Sequence, residues 1–111
     1  MIFCFVMADN SRIEQLEAIL IADPNNQLSL YALGMEYSSE GLTHKALESY
    51  ARLIEINPEY VNAYFMSAQT LNNAGRVDEA RKMLEKGLEC AQRNQNHHAE
   101  SEMEAMLEDL A

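Results

Sequence analysis

The sequence predicts an all-α protein of about six helices, arranged as antiparallel pairs that stack side by side. Two observations carry that prediction. Pro24 and Pro58 stand 34 residues apart, and so do Gly41 and Gly75. Punctuation recurring at this interval, between runs with helical apolar spacing, marks a chain of repeated supersecondary units. Composition agrees: alanine, leucine, glutamate and methionine dominate, and only 4 glycines and 2 prolines interrupt 111 residues. That balance favours helix over a turn-rich β fold.

Taken in order, residues 1–10 read as an N-terminal tail. Its opening, MIFCFVM, is apolar but lacks a basic n-region and a cleavage site, so it fails as a signal peptide. It is also far shorter than a membrane span. MADNSRIEQLEAIL, beginning at Met7, reads as an alternative start, and an authentic 1–6 would dock on the core or favour self-association. Residues 11–22 form an N-terminal helix, a partial repeat with Leu16 and Ile19 at its buried positions. The first full repeat covers 24–60. Asp23 caps its leading helix with Pro24 in the first turn, the apolar positions 28, 30, 33 and 37 follow, and Gly41 supplies a left-handed stop. A second helix starts near Thr43, carries Ala46, Leu47, Tyr50, Leu53 and Ile54 on one stripe, and ends before Asn57-Pro58.

The second repeat, 61–94, copies this plan. It runs from Val61 to Ala74, turns at Gly75, and continues from Val77 to about Arg93. Turns this short force antiparallel packing. A proline matching Pro58 is missing from the second copy, so its last helix is expected to run longer. After a polar loop, RNQNHH, residues 99–110 form a capping helix with Ala99, Met103, Met106, Leu107 and Leu110 on one stripe. An interior glycine costs roughly 1 kcal/mol against alanine, so Gly34 needs a reason. Gly34 and Ala68 are equivalent, as are Ala46 and Ala80 in the partner helices. Small side chains facing one another there let two helix backbones approach closely.

The pattern resembles the tetratricopeptide repeat family. The family's large residue, Leu-Gly, Tyr, Gly, Ala, aromatic and Pro stand here as Leu30, Leu33-Gly34, Tyr37, Gly41, Ala46, Tyr50 and Pro58. Only the small residue, replaced by Leu53, and the usual first Trp are not met. The second repeat departs further, with Tyr64, Ser67-Ala68, Leu71, Gly75, Ala80, Leu84, Gly87 and Gln92. The resemblance implies a right-handed α-solenoid whose leading helices line a concave face. Carried over position by position, it implies a peptide-binding groove of Leu28, Tyr31, Met35 and Ser38 from the first repeat. The second contributes Asn62, Phe65, Gln69, Asn72 and Asn73. Amides would bond a peptide backbone there while Tyr31 and Phe65 supply flat contact area. Family members that clamp a terminal carboxylate use lysine, asparagine and arginine on these helices. Here both helices lack lysine and arginine, so that mode is not expected.

The net charge of −10 disfavours nucleic acid and anionic membrane surfaces, since phosphates are held by cations. Charge is also uneven: only 61–94 has a basic surplus, through Arg76, Arg81, Lys82, Lys86 and Arg93, whereas 95–111 sums to −5. Its acidic side reads as the wet face of an amphipathic helix, able to meet a basic partner or those cations of another copy. Cys4 and Cys90 lack metal-ligand spacing and read as reduced thiols. His97 and His98 sit in a polar loop and His44 on a turn, without a metal-binding motif. Met35, Met66, Met83, Met103 and Met106 read as core filling or a pliable surface. The chain has no activated nucleophile, phosphate loop or paired acid and base. The expectation is therefore a cytoplasmic, non-catalytic interaction module without metal or cofactor, binding a protein or peptide. The alternative is a self-associating homodimer whose groove is filled by its own or a neighbour's segment.

Overall fold

The computed structural model describes the backbone of residues 2–110 and the side chains of 12–110. The expectations for the apolar opening segment's packing and for Cys4 lie outside the described residues. Among the described residues there are six helices and no strand: α1 Ile2–Ala22, α2 Gln27–Ser39, α3 Thr43–Ile56, α4 Val61–Asn73, α5 Val77–Arg93 and α6 His97–Leu110. The first of these corrects the sequence reading, because helix begins at Ile2 and takes in the stretch expected as a tail.

Each helix packs on its neighbours in the chain, α1 on α2 through to α5 on α6. Beyond these, α2 meets α4 and α4 meets α6, whereas among the described residues α1 and α3, like α3 and α5, are held apart. Contacts restricted to neighbours are the signature of a solenoid. With α2, α4 and α6 touching and the alternate helices separated, the stack curves towards the α2–α4–α6 side. The radius of gyration, 14.9 Å, exceeds the roughly 13 Å of a compact domain of this length.

Local chemistry explains where the helices stop. Gly41 and Gly75 both adopt positive φ, 77° and 80°. The amide three residues past each helix then returns to the carbonyl five back, Leu42 to Tyr37 and Arg76 to Leu71, at 2.9 Å each. This is the six-to-one bond of a Schellman stop, for which glycine pays no steric cost. The α5–α6 turn closes likewise, Asn96 to Ala91 at 2.8 Å, but there Gln95 takes the positive φ of 55°. Lacking a proline at Gln92, α5 reaches 17 residues against 14 for α3, as expected.

Two caps differ from expectation. Asn26, not Asp23, caps α2, its Oδ1 accepting from the Ser29 amide at 2.9 Å. Asp23 instead ends α1 and accepts from the Asn26 side chain, because Pro24 and Asn25 form a turn ahead of the helix. Asn96 caps α6 by accepting from the Ala99 amide at 3.1 Å. His97 and His98 therefore open a helix and are not loop residues, and α6 begins two residues before the expected 99. His44 likewise lies in the first turn of α3.

The core runs along the stack. Leu33, Tyr37, Ala46 and Tyr50 bury against Ile13, Leu16 and Leu20 of α1. Leu30, Leu53 and Ala63 join the two repeats. Tyr64, Ala68, Leu71, Ala80, Leu84, Cys90, Ala99 and Met103 fill the second half. Leu16 is thus placed as expected, but Ile19 is 43% exposed and Leu20 packs inward instead. Cys90 is a buried free thiol facing the Pro58 carbonyl.

The glycine at 34 has a different reason from the expected one. A Cβ there would stand 2.5–2.9 Å from three ring atoms of Tyr50. The space is taken by the Tyr50 ring on α3, not kept for the small residue at Ala46. Gly87, which the sequence reading did not place among the packing residues, does similar work. A Cβ on it would meet Met103 Sδ at 2.6 Å and Tyr64 Cβ at 2.8 Å. Its absence lets α6 settle against α4 and α5.

Candidate functional site

The face formed by α2, α4 and α6 carries the candidate groove. Helical spacing sets Phe65, Gln69, Asn72 and Asn73 along one side of α4. On α6, Glu102, Ala105, Met106 and Asp109 form the matching stripe. Together these eight residues line an open recess of about 390 Å³. Its lining combines apolar surface, three amides and two carboxylates, and it includes no lysine or arginine.

The remaining expected groove residues are distributed differently. Leu28, 73% exposed, and Met35, 42% exposed, stand free on α2. Tyr31 is half-buried, its ring 6.3 Å from that of Tyr50 and 5.5 Å from that of Tyr60. Burial, and then the neighbouring Tyr60 hydroxyl, hold the Tyr31 phenol above its ordinary pKa. Ser38 is used at the α2–α4 seam: the Thr70 hydroxyl donates to the Met66 carbonyl, so Ser38 Oγ donates to Thr70 at 3.0 Å. Asn62 belongs to a separate hollow at the loop end, with Asn57, Tyr60, Asn94 and Asn96. Four of the nine expected groove residues are thus brought into one recess, and five are not.

Sequence reasoning missed the α6 contribution. Laying α6 on α4 at the 34-residue period would put Ala99 and Met103 where Phe65 and Gln69 stand, yet both are buried. The α5–α6 turn starts α6 at His97, 36 residues after Val61, whereas Val61 follows Gln27 by 34. The added length lies in α5, and Glu102, Ala105, Met106 and Asp109 are the α6 residues that line the recess. The lengthened α5 and the missing proline were the available signal.

Several charged groups around this face are already paired. Glu36 on α2 pairs with Arg12 at 2.6 Å. Arg93 and Asn94 bind the Glu59 carboxylate, with the shorter Arg93 contact at 2.7 Å, and hold that carboxyl below its ordinary pKa. Arg81 contacts Asp78 and donates to the Leu110 carbonyl at the end of α6. His98 lies 3.1 Å from Glu102 and His97 3.6 Å from Glu100. Among the described residues no three His, Cys, Asp or Glu side chains converge on a point. Among them, too, no helix is long and apolar enough to cross a membrane.

A stack of short antiparallel helix pairs with an open face along its leading helices defines an all-α repeat solenoid. Residues 38–100 match the family model described as tetratricopeptide repeat, and the chain belongs to that family. It is 32% identical over 98 residues to TPR repeat-containing protein PA0015 of Pseudomonas aeruginosa, covering 88% of this chain and 93% of that one. The solution structure of protein BPP2914 from Bordetella parapertussis is similar with a TM-score of 0.78 and 28% identity, over 88% of this chain and 85% of that one. PcrH, in a crystal structure with the chaperone binding region of PopD, shares the fold with a TM-score of 0.85 at 20% identity, over 95% of this chain and 80% of that one.

Proposed function

We propose that this chain is a non-catalytic interaction module that holds a peptide segment of a protein partner along the α2–α4–α6 face. The observation that carries the reading is the recess itself. Gln69, Asn72 and Asn73 offer both donors and acceptors beside the apolar surface of Phe65 and Met106, an arrangement suited to a peptide backbone with one or two apolar anchors. Exposed Leu28 and Met35 extend apolar surface along α2. A structural relative solved with a bound segment, PcrH with part of PopD, shows that the fold accommodates such a use in another protein.

The test is selection of displayed random peptides on the full chain, followed by affinity measurement with the Gln69→Ala/Asn72→Ala variant. Both side chains stand outside the core, so the fold should be unaffected. Peptides that bind the wild type and bind the variant about tenfold more weakly support the groove. Recovery of no peptide, or equal affinity for the variant, removes it. One observation favours a second reading, self-association: Ile21, near the end of α1, is 84% exposed and Leu28, near the start of α2, is 73% exposed. Sedimentation of the wild type and of Ile21→Ser/Leu28→Ser separates the two, because only self-association predicts a size that falls in the variant.

A further inference from the structure

Every lysine and arginine of this chain lies off the leading helices. Arg12, Lys45 and Arg52 are on α1 and α3, Arg76 is on the α4–α5 turn, and the other four are on α5. The helices α2, α4 and α6 therefore contribute no lysine or arginine of their own, and their acids are not evenly spread. Glu36, near the α2 end, is neutralised by Arg12. At the α6 end, Glu102 and Asp109 face the recess; the His98 imidazole lies 3.1 Å from Glu102, and Asp109 has no salt-bridge partner among the described residues.

We infer that the partner segment is cationic: it places lysine or arginine side chains in the α4–α6 recess, with its apolar residues towards Met35 and Leu28. This rests on the peptide-groove reading and adds the chemistry and direction of the ligand. Charge complementarity selects the occupant. The recess amides accept hydrogen bonds from ammonium or guanidinium groups through their carbonyl oxygens, and the carboxylates supply the counter-charge. Phe65 and Met106 offer apolar surface to the aliphatic stem of such a side chain. Glu102 and Asp109 lie two helical turns apart, about 10 Å along α6, too far for one cation to be shared. The recess is therefore matched to two cationic side chains, one at either end. An acidic segment is disfavoured by the same field, since a carboxylate there would meet like charge in a recess whose lining has no lysine or arginine.

The experiment uses the full chain, a displayed library of random 12-residue peptides, and the Glu102→Gln/Asp109→Asn variant. Selected peptides should be enriched in lysine and arginine, with apolar residues to one side of the basic pair. Chemically synthesised copies should bind the variant about three- to tenfold more weakly, and the wild-type advantage should shrink as salt is raised. Peptides without basic enrichment, or basic peptides with equal affinity for both proteins, overturn the inference while leaving the groove standing. Failure to recover any peptide, or indifference to Gln69→Ala/Asn72→Ala, overturns the groove reading as well. Sedimentation covers the remaining occupant: a dimer that dissociates on Glu102→Gln/Asp109→Asn assigns the recess to the basic α5 of a second copy and sinks the partner-peptide proposal.

Discussion

The two repeats fill the joint between their helices with different volumes. In the first, Gly34 on α2 leaves room that the fully buried Tyr50 ring of α3 occupies. In the second, Ala68 and Leu84 hold the equivalent places, and both are fully buried. One methyl is gained on the leading helix while the residue opposite shrinks from an aromatic to an aliphatic side chain. The fold thus constrains the pair and not either member, as expected of an interior packed to crystal-like density. The second repeat also gives up the larger residue at Leu53's place for Gly87, which opens the side of α5 against which Met103 of α6 rests. The first joint is sealed by an aromatic ring, and the second by an added helix.

This contrast can be broken most severely by Gly34→Leu. A branched side chain would have to displace a ring that is 0% exposed, and the expected outcome is loss of cooperative thermal unfolding by circular dichroism. Gly34→Ala is the milder break. It gains about 1 kcal/mol of helix propensity but forces the Tyr50 ring to move, at about 1–3 kcal/mol, so a net fall in stability is expected. Combining it with Tyr50→Leu recreates the second repeat's pair inside the first. In urea unfolding the double variant should be less destabilised than the sum of the single variants, by more than about 1 kcal/mol. Strict additivity would show that the two positions are not a unit. The smallest effect concerns the turns. Gln95 adopts the left-handed backbone that Gly41 and Gly75 adopt elsewhere, at a steric cost of about 1–2 kcal/mol. Gln95→Gly should raise stability by up to about 1 kcal/mol, since glycine's greater unfolded-state freedom offsets part of the gain. An unchanged urea midpoint would mean that the turn carries no such strain.

Much of the fold was legible because its signals are local. The prolines at 24 and 58, the glycines at 41 and 75, and the apolar spacing around Leu30, Leu33 and Tyr37 each act within a few residues of where they stand. They fixed helix limits at Thr43, Ile56, Val61 and Val77. The cap of α2 was misread because Asp23-Pro24 and Asn26 are both plausible starts, and only the chain's path from α1 chooses between them. The candidate site was half legible. Phe65, Gln69, Asn72 and Asn73 share a helix and so keep their mutual geometry wherever that helix packs. Glu102, Ala105 and Asp109 come from a different helix, placed after an α5 that is longer than its counterpart α3.

What the sequence alone determined is the repeat: its period, its paired helices, and the charge separation that leaves the leading helices without lysine or arginine. Those are properties of order along the chain. Tertiary structure alone decided which side of α6 closes the groove, why Gly34 and Gly87 carry no side chain, and that Tyr31 leans into an aromatic cluster. Each of these depends on atoms brought together from helices far apart in sequence, so that no stretch of neighbouring residues carries the signal by itself.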